Sequence, residues 1–254
     1  MGGQALGAAA QLAPAVLAVE IARHSGLSPA LIGVFSGLVF LAAATSALGG
    51  GGLIGRYGAV AAVRVGAAMS AIGTALVAIG HPAAIAFAAL VIGLGYGPMT
   101  PASSVVLSRW APAHRLGLIM SIKQTGVPMG YFATGVLLPR LSEAIGWQTS
   151  LLALAALTAV AAVALTPAAR LLDEKRPGVR SGFASARHSL GLLRQHPRLR
   201  RIAFASLAFA GVQVTVVSFL VVYLEDFIGL EKQLAAWPLA VAGVAAIAGR
   251  IAWG

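Results

Sequence analysis

The chain has no cysteine, which excludes disulfides, thiolate metal sites and cysteine nucleophiles. Charge is nearly as scarce. Asp, Glu, Lys and Arg make up 10% of the 254 residues, against about 25% in a soluble domain. What is present instead is apolar: 59% of the chain. A soluble fold could not keep that much apolar surface from water, because about half of any folded surface stays exposed. Lipid removes the conflict. The 31 glycines fit the same solvent, since small residues let helices pack backbone to backbone where no hydrophobic effect joins them.

Catalytic chemistry is poorly provided for. His24, His81, His114, His188 and His196 lie between apolar runs or at their ends, without the spacing of a metal site. The glycine-rich runs lack the Lys-Ser/Thr of a phosphate-binding loop. No enzyme, metal or cofactor is expected. No Lys/Arg-rich start precedes the first apolar run, so a cleaved signal peptide is not expected either.

Eight apolar segments approach the roughly 20 residues that a helix needs to cross a bilayer: Gln4–Ala22, Ala30–Gly52, Ala59–Gly80, Pro82–Leu107, Gly117–Pro139, Trp147–Leu165, Ile202–Tyr223 and Leu234–Gly254. Their continuous apolarity predicts helices, since barrel strands would alternate. The breaks carry turn chemistry, as in Gly55-Arg56-Tyr57-Gly58 and Gly80-His81-Pro82. The expected fold is an all-α, polytopic transmembrane bundle with short connections.

One stretch departs from this. Residues 167–201 hold Arg170, Lys175, Arg176, Arg180, Arg187, Arg194, Arg198, Arg200 and Arg201 against Asp173 and Glu174. Residues 1–166 then read as a six-helix bundle, 167–201 as a basic linker, and 202–254 as the first two helices of a second bundle. Within the linker, Ser185–Leu193 can form a surface helix with Leu190 and Leu193 turned to lipid. Loop charges set the orientation. Arg56, Arg64, Arg109, Arg115 and the linker fall on one side; Arg23, Arg140 and Lys232 fall on the other. The positive-inside rule makes the first side cytoplasmic, with both termini. Glu20, Glu143, Glu225, Asp226 and Glu231 then lie at the outer ends. The net charge of +11 is accounted for by topology, and no nucleic-acid partner is expected.

Local sequence adds a family resemblance. Gly51-Gly52-Leu53-Ile54-Gly55-Arg56-Tyr57-Gly58 resembles the loop signature between helices 2 and 3 of the major facilitator superfamily, with Gly51, Leu53, Arg56 and Gly58 matching. Gly55 stands where the family has an aspartate, so a charge latch at that position is excluded. Gly249-Arg250-Ile251-Ala252-Trp253-Gly254 resembles the repeat of this signature in the second bundle. Arg109 to Gly117 and Ile122 to Gly130 are similar to the fourth loop and fifth helix of bacterial facilitators for small organic or inorganic anions. The resemblance implies a bacterial-type inner (plasma) membrane protein. It also implies a secondary transporter working by alternating access, with a small-molecule substrate and a co-transported or exchanged ion. Facilitators have about twelve helices in two halves, so the chain is expected to be a fragment of a longer protein.

The candidate site follows from the few polar residues inside the apolar segments. Lys123 lies about 9 Å into the fifth segment at 1.5 Å per residue. It either snorkels to the headgroups or faces a central cavity and attracts an anion. Gly126, Gly130 and Thr134 continue its face, which either lines a cavity or packs tightly. Gln124 and Tyr131 share another face. Gln11 and Gln213 are mid-segment amides in helices 1 and 7, which the resemblance makes equivalent. Helices 1, 4, 7 and 10 line the family's pathway, which implies Gln11, Tyr96 and Gln213 as contacts. Each glutamine could equally make a helix–helix hydrogen bond. Gly51, Arg56, Gly58 and Arg250 are the implied gate. A site with a basic residue and no buried acid favours an anion. Efflux of cationic drugs, or a fragment with only a structural role, are the alternatives.

Overall fold

The computed structural model describes residues 2–173 and 183–253. The expectations for Glu174, Lys175, Arg176 and Arg180 lie outside these residues. The described residues are helical throughout, joined by short turns and without a strand. The helices are α1 (Gly2–Val16), α2 (Ala18–Ser25), α3 (Ile32–Tyr57), α4 (Ala59–Val77), α5 (Pro82–Tyr96), α6 (Met99–Trp110), α7 (Leu116–Gln124), α8 (Gly126–Ile145), α9 (Trp147–Ala164), α10 (Thr166–Leu172), α11 (Phe183–Gln195), α12 (Pro197–Val222) and α13 (Lys232–Trp253).

Among the described residues, six helices are long and apolar enough to span a membrane: α3, α4, α5 with α6, α9 with α10, α12 and α13. The pair α1–α2, bent by 58°, makes a seventh. Pro14 inside α1 removes a backbone donor just before that bend. The expected segment Gly117–Pro139 is not among these seven. It breaks at Thr125 between α7 and α8, next to Pro128, and α8 runs on past Arg140 and Glu143.

Small residues set the packing. Residues 7–19 of α1 and α2 are buried without interruption, and α1 packs against α4, α8, α9 and α12. In α5, a Cβ on Gly93 would lie 2.7 Å from that of Ala42 in α3, and one on Gly95 would lie 2.8 Å from the Gly66 carbonyl in α4. The run Gly93-Leu94-Gly95-Tyr96-Gly97 therefore wedges α5 between two neighbours. Gly97 and Pro98 interrupt the helix before α6.

Contacts also define two sides. His24 in α2, Gly80 in the turn after α4 and Trp147 at the start of α9 meet at one end, with the His24 and Trp147 rings edge to face at 5.3 Å. The turn at Gly58 meets Asp173 at the other end, here called the linker side. The helical polypeptide of α9–α10 runs to Leu172 and α12 begins at Pro197, so both cut into the stretch 167–201. The short helix expected over Ser185–Leu193 is α11, which packs on α3.

Candidate functional site

A polar cluster forms where α1, α6, α7 and α13 approach one another. Lys123, in the last turn of α7, is 4% exposed. Its Nζ donates to the Thr100 carbonyl at 3.2 Å and to Ser104 Oγ at 2.9 Å, both on α6. An ammonium has three donors, so one proton is left over. Thr100 is the hub: its Oγ1 also accepts from Gln4 Nε2 at 3.1 Å. Lys123 thus does not reach out to headgroups; it turns inward. The face that continues from it is used for packing. A Cβ on Gly130 would lie 3.0 Å from Ala8 Cβ in α1, and Thr134 Oγ1 donates to the Gly130 carbonyl.

Arg250 enters the same cluster from α13. Its Nη1 donates to the Gln124 carbonyl at 2.7 Å. The local sequence leaves that carbonyl free. Four residues on stands Pro128, which has no N–H to give the i+4 hydrogen bond. The break between α7 and α8 therefore creates an acceptor, and the guanidinium takes it.

Neither cation is matched by a carboxylate among the described residues. Glu20 accepts from Ser142, Glu143 from Gln233, and Asp173 from the backbone of α4. Three buried amide atoms are also without a partner: Gln4 Oε1, Gln124 Oε1 and Gln11 Nε2. An unmet buried polar atom costs about 1–3 kcal/mol.

Beside the cluster lies a cavity of about 570 Å³ between α3, α5–α6 and α12. Tyr96 and Thr100 form its polar end, and Phe40, Leu207, Val214 and Phe219 are among its apolar walls. At the end away from the linker side it closes where Ser36 Oγ meets Ser218 Oγ at 2.9 Å and Phe219 packs against Gly33. Gln11 lines a smaller neighbouring cavity that shares Ser36, Phe40, Val214 and Ser218 with the first and adds Tyr131.

The expected site residues are therefore partly gathered. Tyr96 and Gln11 line the two cavities, and Lys123 stands behind Thr100. Gln124 is half-buried, with its carbonyl on Arg250. Gln213 is not brought to the cavities. It is exposed and lines neither cavity. The cavity stripe of α12 is Leu207, Ala210, Gly211, Val214 and Ser218, and residue 213 points away from that stripe at 100° per residue. Among the gate residues, Gly51 and Arg56 are exposed, with Arg56 stacked over Tyr57 at 5.3 Å. Gly58 is buried at φ +101°, and Arg250 contacts Gln124 instead of the Gly51–Gly58 loop. Thr100 and Ser104 were not foreseen. The readable clue was Pro128 four residues after Gln124.

No curated protein matches the chain at a significant level. The family model of the Major Facilitator Superfamily matches residues 3–254. The chain, a polytopic membrane protein, a secondary transporter of small molecules and not an enzyme, belongs to that superfamily.

Proposed function

We propose that the transported solute is a small organic anion, held by the Lys123 and Arg250 pair and moved by alternating access. The observation that carries this reading is Lys123 itself, 4% exposed, with a spare donor and no carboxylate partner. A cation buried in a membrane protein costs about 2.5–3.5 kcal/mol on insertion scales. An anionic ligand would offset that cost. Gln11 Nε2 is a further donor without a partner. The unpartnered Gln4 and Gln124 oxygens suit a hydroxyl or other donor on the same ligand.

Cavity size supports an organic over an inorganic ion. The volume, about 570 Å³, falls in the range of about 300–1,000 Å³ that small-molecule sites occupy. A bare inorganic ion would leave most of the apolar wall unmatched. Neither an acid nor a base lines the cavity itself, but its polar end at Thr100 adjoins Lys123, which disfavours cationic drugs. The linker side is cytoplasmic in this reading, on the loop charges, and Gly51, Arg56 and Gly58 belong to the gate there.

The test is counterflow in proteoliposomes with a series of carboxylates, inorganic anions and cationic dyes. Carboxylates should exchange, and Lys123→Gln should abolish exchange with the protein still monodisperse. Movement of cationic dyes alone would overturn the reading. Exchange of no compound by the 254-residue chain would favour a structural role.

A further inference from the structure

The loop between α3 and α4 lacks the acid at position 55, yet the start of α4 needs one. The first N–H groups of a helix have no partner within it. A side-chain oxygen at the N-cap normally supplies one, but the N-cap of α4 is Gly58, which has no side chain. The partner comes from more than a hundred positions away. Asp173 Oδ1 accepts from Val60 N at 2.7 Å, and Oδ2 accepts from Ala61 N at 2.7 Å. Each carboxylate oxygen takes one orphan donor, and the negative charge faces the positive end of the helix.

Gly58 makes the room. At φ +101° it occupies a conformation that side chains resist, and a Cβ there would lie 2.6 Å from Asp173 Oδ1. One glycine thus serves both the turn and the incoming carboxylate. Asp173 is in turn fixed at the end of α10, where its N–H donates to the Ala169 carbonyl at 3.1 Å. Farther along α4, Arg64 Nη1 donates to Thr166 Oγ1 at 3.3 Å. The root of the linker is therefore joined to the α3–α4 turn at two points.

We propose that Asp173 is a positioning residue for transport. It supplies, from the root of the linker, the negative charge that the loop lacks, and binds turn and linker into one unit. The conformational step between the two access states works against that unit, so its loss changes turnover without touching the substrate site. Gly58 acts through the same contact, so the two residues are thermodynamically one device.

The experiment measures exchange kinetics and tryptic cleavage after Arg170, the exposed arginine of α10, in reconstituted protein. Asp173→Asn should lower maximal turnover by about tenfold, the scale of a lost charged cap. It should leave the KM of the exchanged solute within about twofold, and cleavage should speed up several-fold. Gly58→Ala should do the same, and the double variant should be no worse than the poorer single one. A multiplicative loss in the double variant overturns the shared device. Unchanged turnover with a lowered melting temperature makes Asp173 a structural cap alone and overturns the proposal too. If Asp173→Asn does not yield folded protein, Asp173→Glu decides: retained turnover with retained protection supports the proposal, and lost turnover with retained protection overturns it.

Discussion

Two regions of this molecule take charge out of water and treat it in opposite ways. At the linker side, the half-buried Asp173 carboxylate meets two backbone donors at 2.7 Å each. Each of its oxygens has a partner, and nothing points to a ligand. At the central cluster, Lys123 is almost fully enclosed, has two partners for three protons, and lies among amide atoms with none. The first arrangement resembles a helix cap. The second is incomplete on the protein's side. On the proposed reading, the second is where the anion binds.

That contrast yields measurable differences. The largest concerns Lys123. Replacement by Met should abolish anion exchange, by about a hundredfold or more, while leaving the apparent melting temperature unchanged or raised, since removing a poorly paired buried charge is often stabilising. Asp173→Asn should do the reverse in stability. A lost charged cap is worth about 1–2 kcal/mol, which shifts the midpoint of a chain this long by a few degrees, about 2–4 °C per kcal/mol. Scanning fluorimetry of both variants checks the pair, and a fall in both would dissolve the comparison.

A smaller effect is expected at Arg250. Replacement by Gln should raise the KM for the anion by about tenfold, as one charge-assisted contact is worth roughly 1.5–3 kcal/mol. The cavity can be sharpened separately. A Cβ at Gly37 or Gly211, both on its wall, meets nothing within 4 Å. Gly37→Leu and Gly211→Leu should therefore fill it without clashing, and weaken bulky carboxylates more than formate. The smallest effect is reserved for Gln213→Ala, which should leave exchange unchanged, whereas Gln11→Ala should raise KM a few-fold. Equal losses at both positions would mean that α12 presents a different face in the working protein.

The helical plan was legible because hydropathy reports the solvent. It reports packing poorly. The window in α12 has the higher mean hydropathy, 2.2 against 1.7 in α4, yet is 17% buried against 50%. Exposed positions of α12 carry Ile202, Phe204, Phe209 and Val216, while buried positions of α4 are Gly66, Ser70, Gly73 and Thr74. Lipid-exposed faces tolerate bulk, and close helix packing selects small residues. This is why the face on which Gln213 lies was not legible: an evenly apolar helix carries little phase information. The inward turn of Lys123 was one of two open readings, because its partners Thr100 and Ser104 come from another helix. Asp173 was invisible as a cap for the same reason, at a separation of 113 residues. The break at Thr125 was different. Pro128 was readable, and it implied both the interrupted helix and a free carbonyl at Gln124.

The proposed site stands or falls with the readiness of Lys123 for an anion. It is tested most directly by carboxylate binding to the purified protein and to Lys123→Gln, read by calorimetry at matched salt. Saturable binding of a carboxylate with an apolar body to the first, and at least about a hundredfold weaker binding to the second, is expected. Equal affinity for both proteins would contradict it.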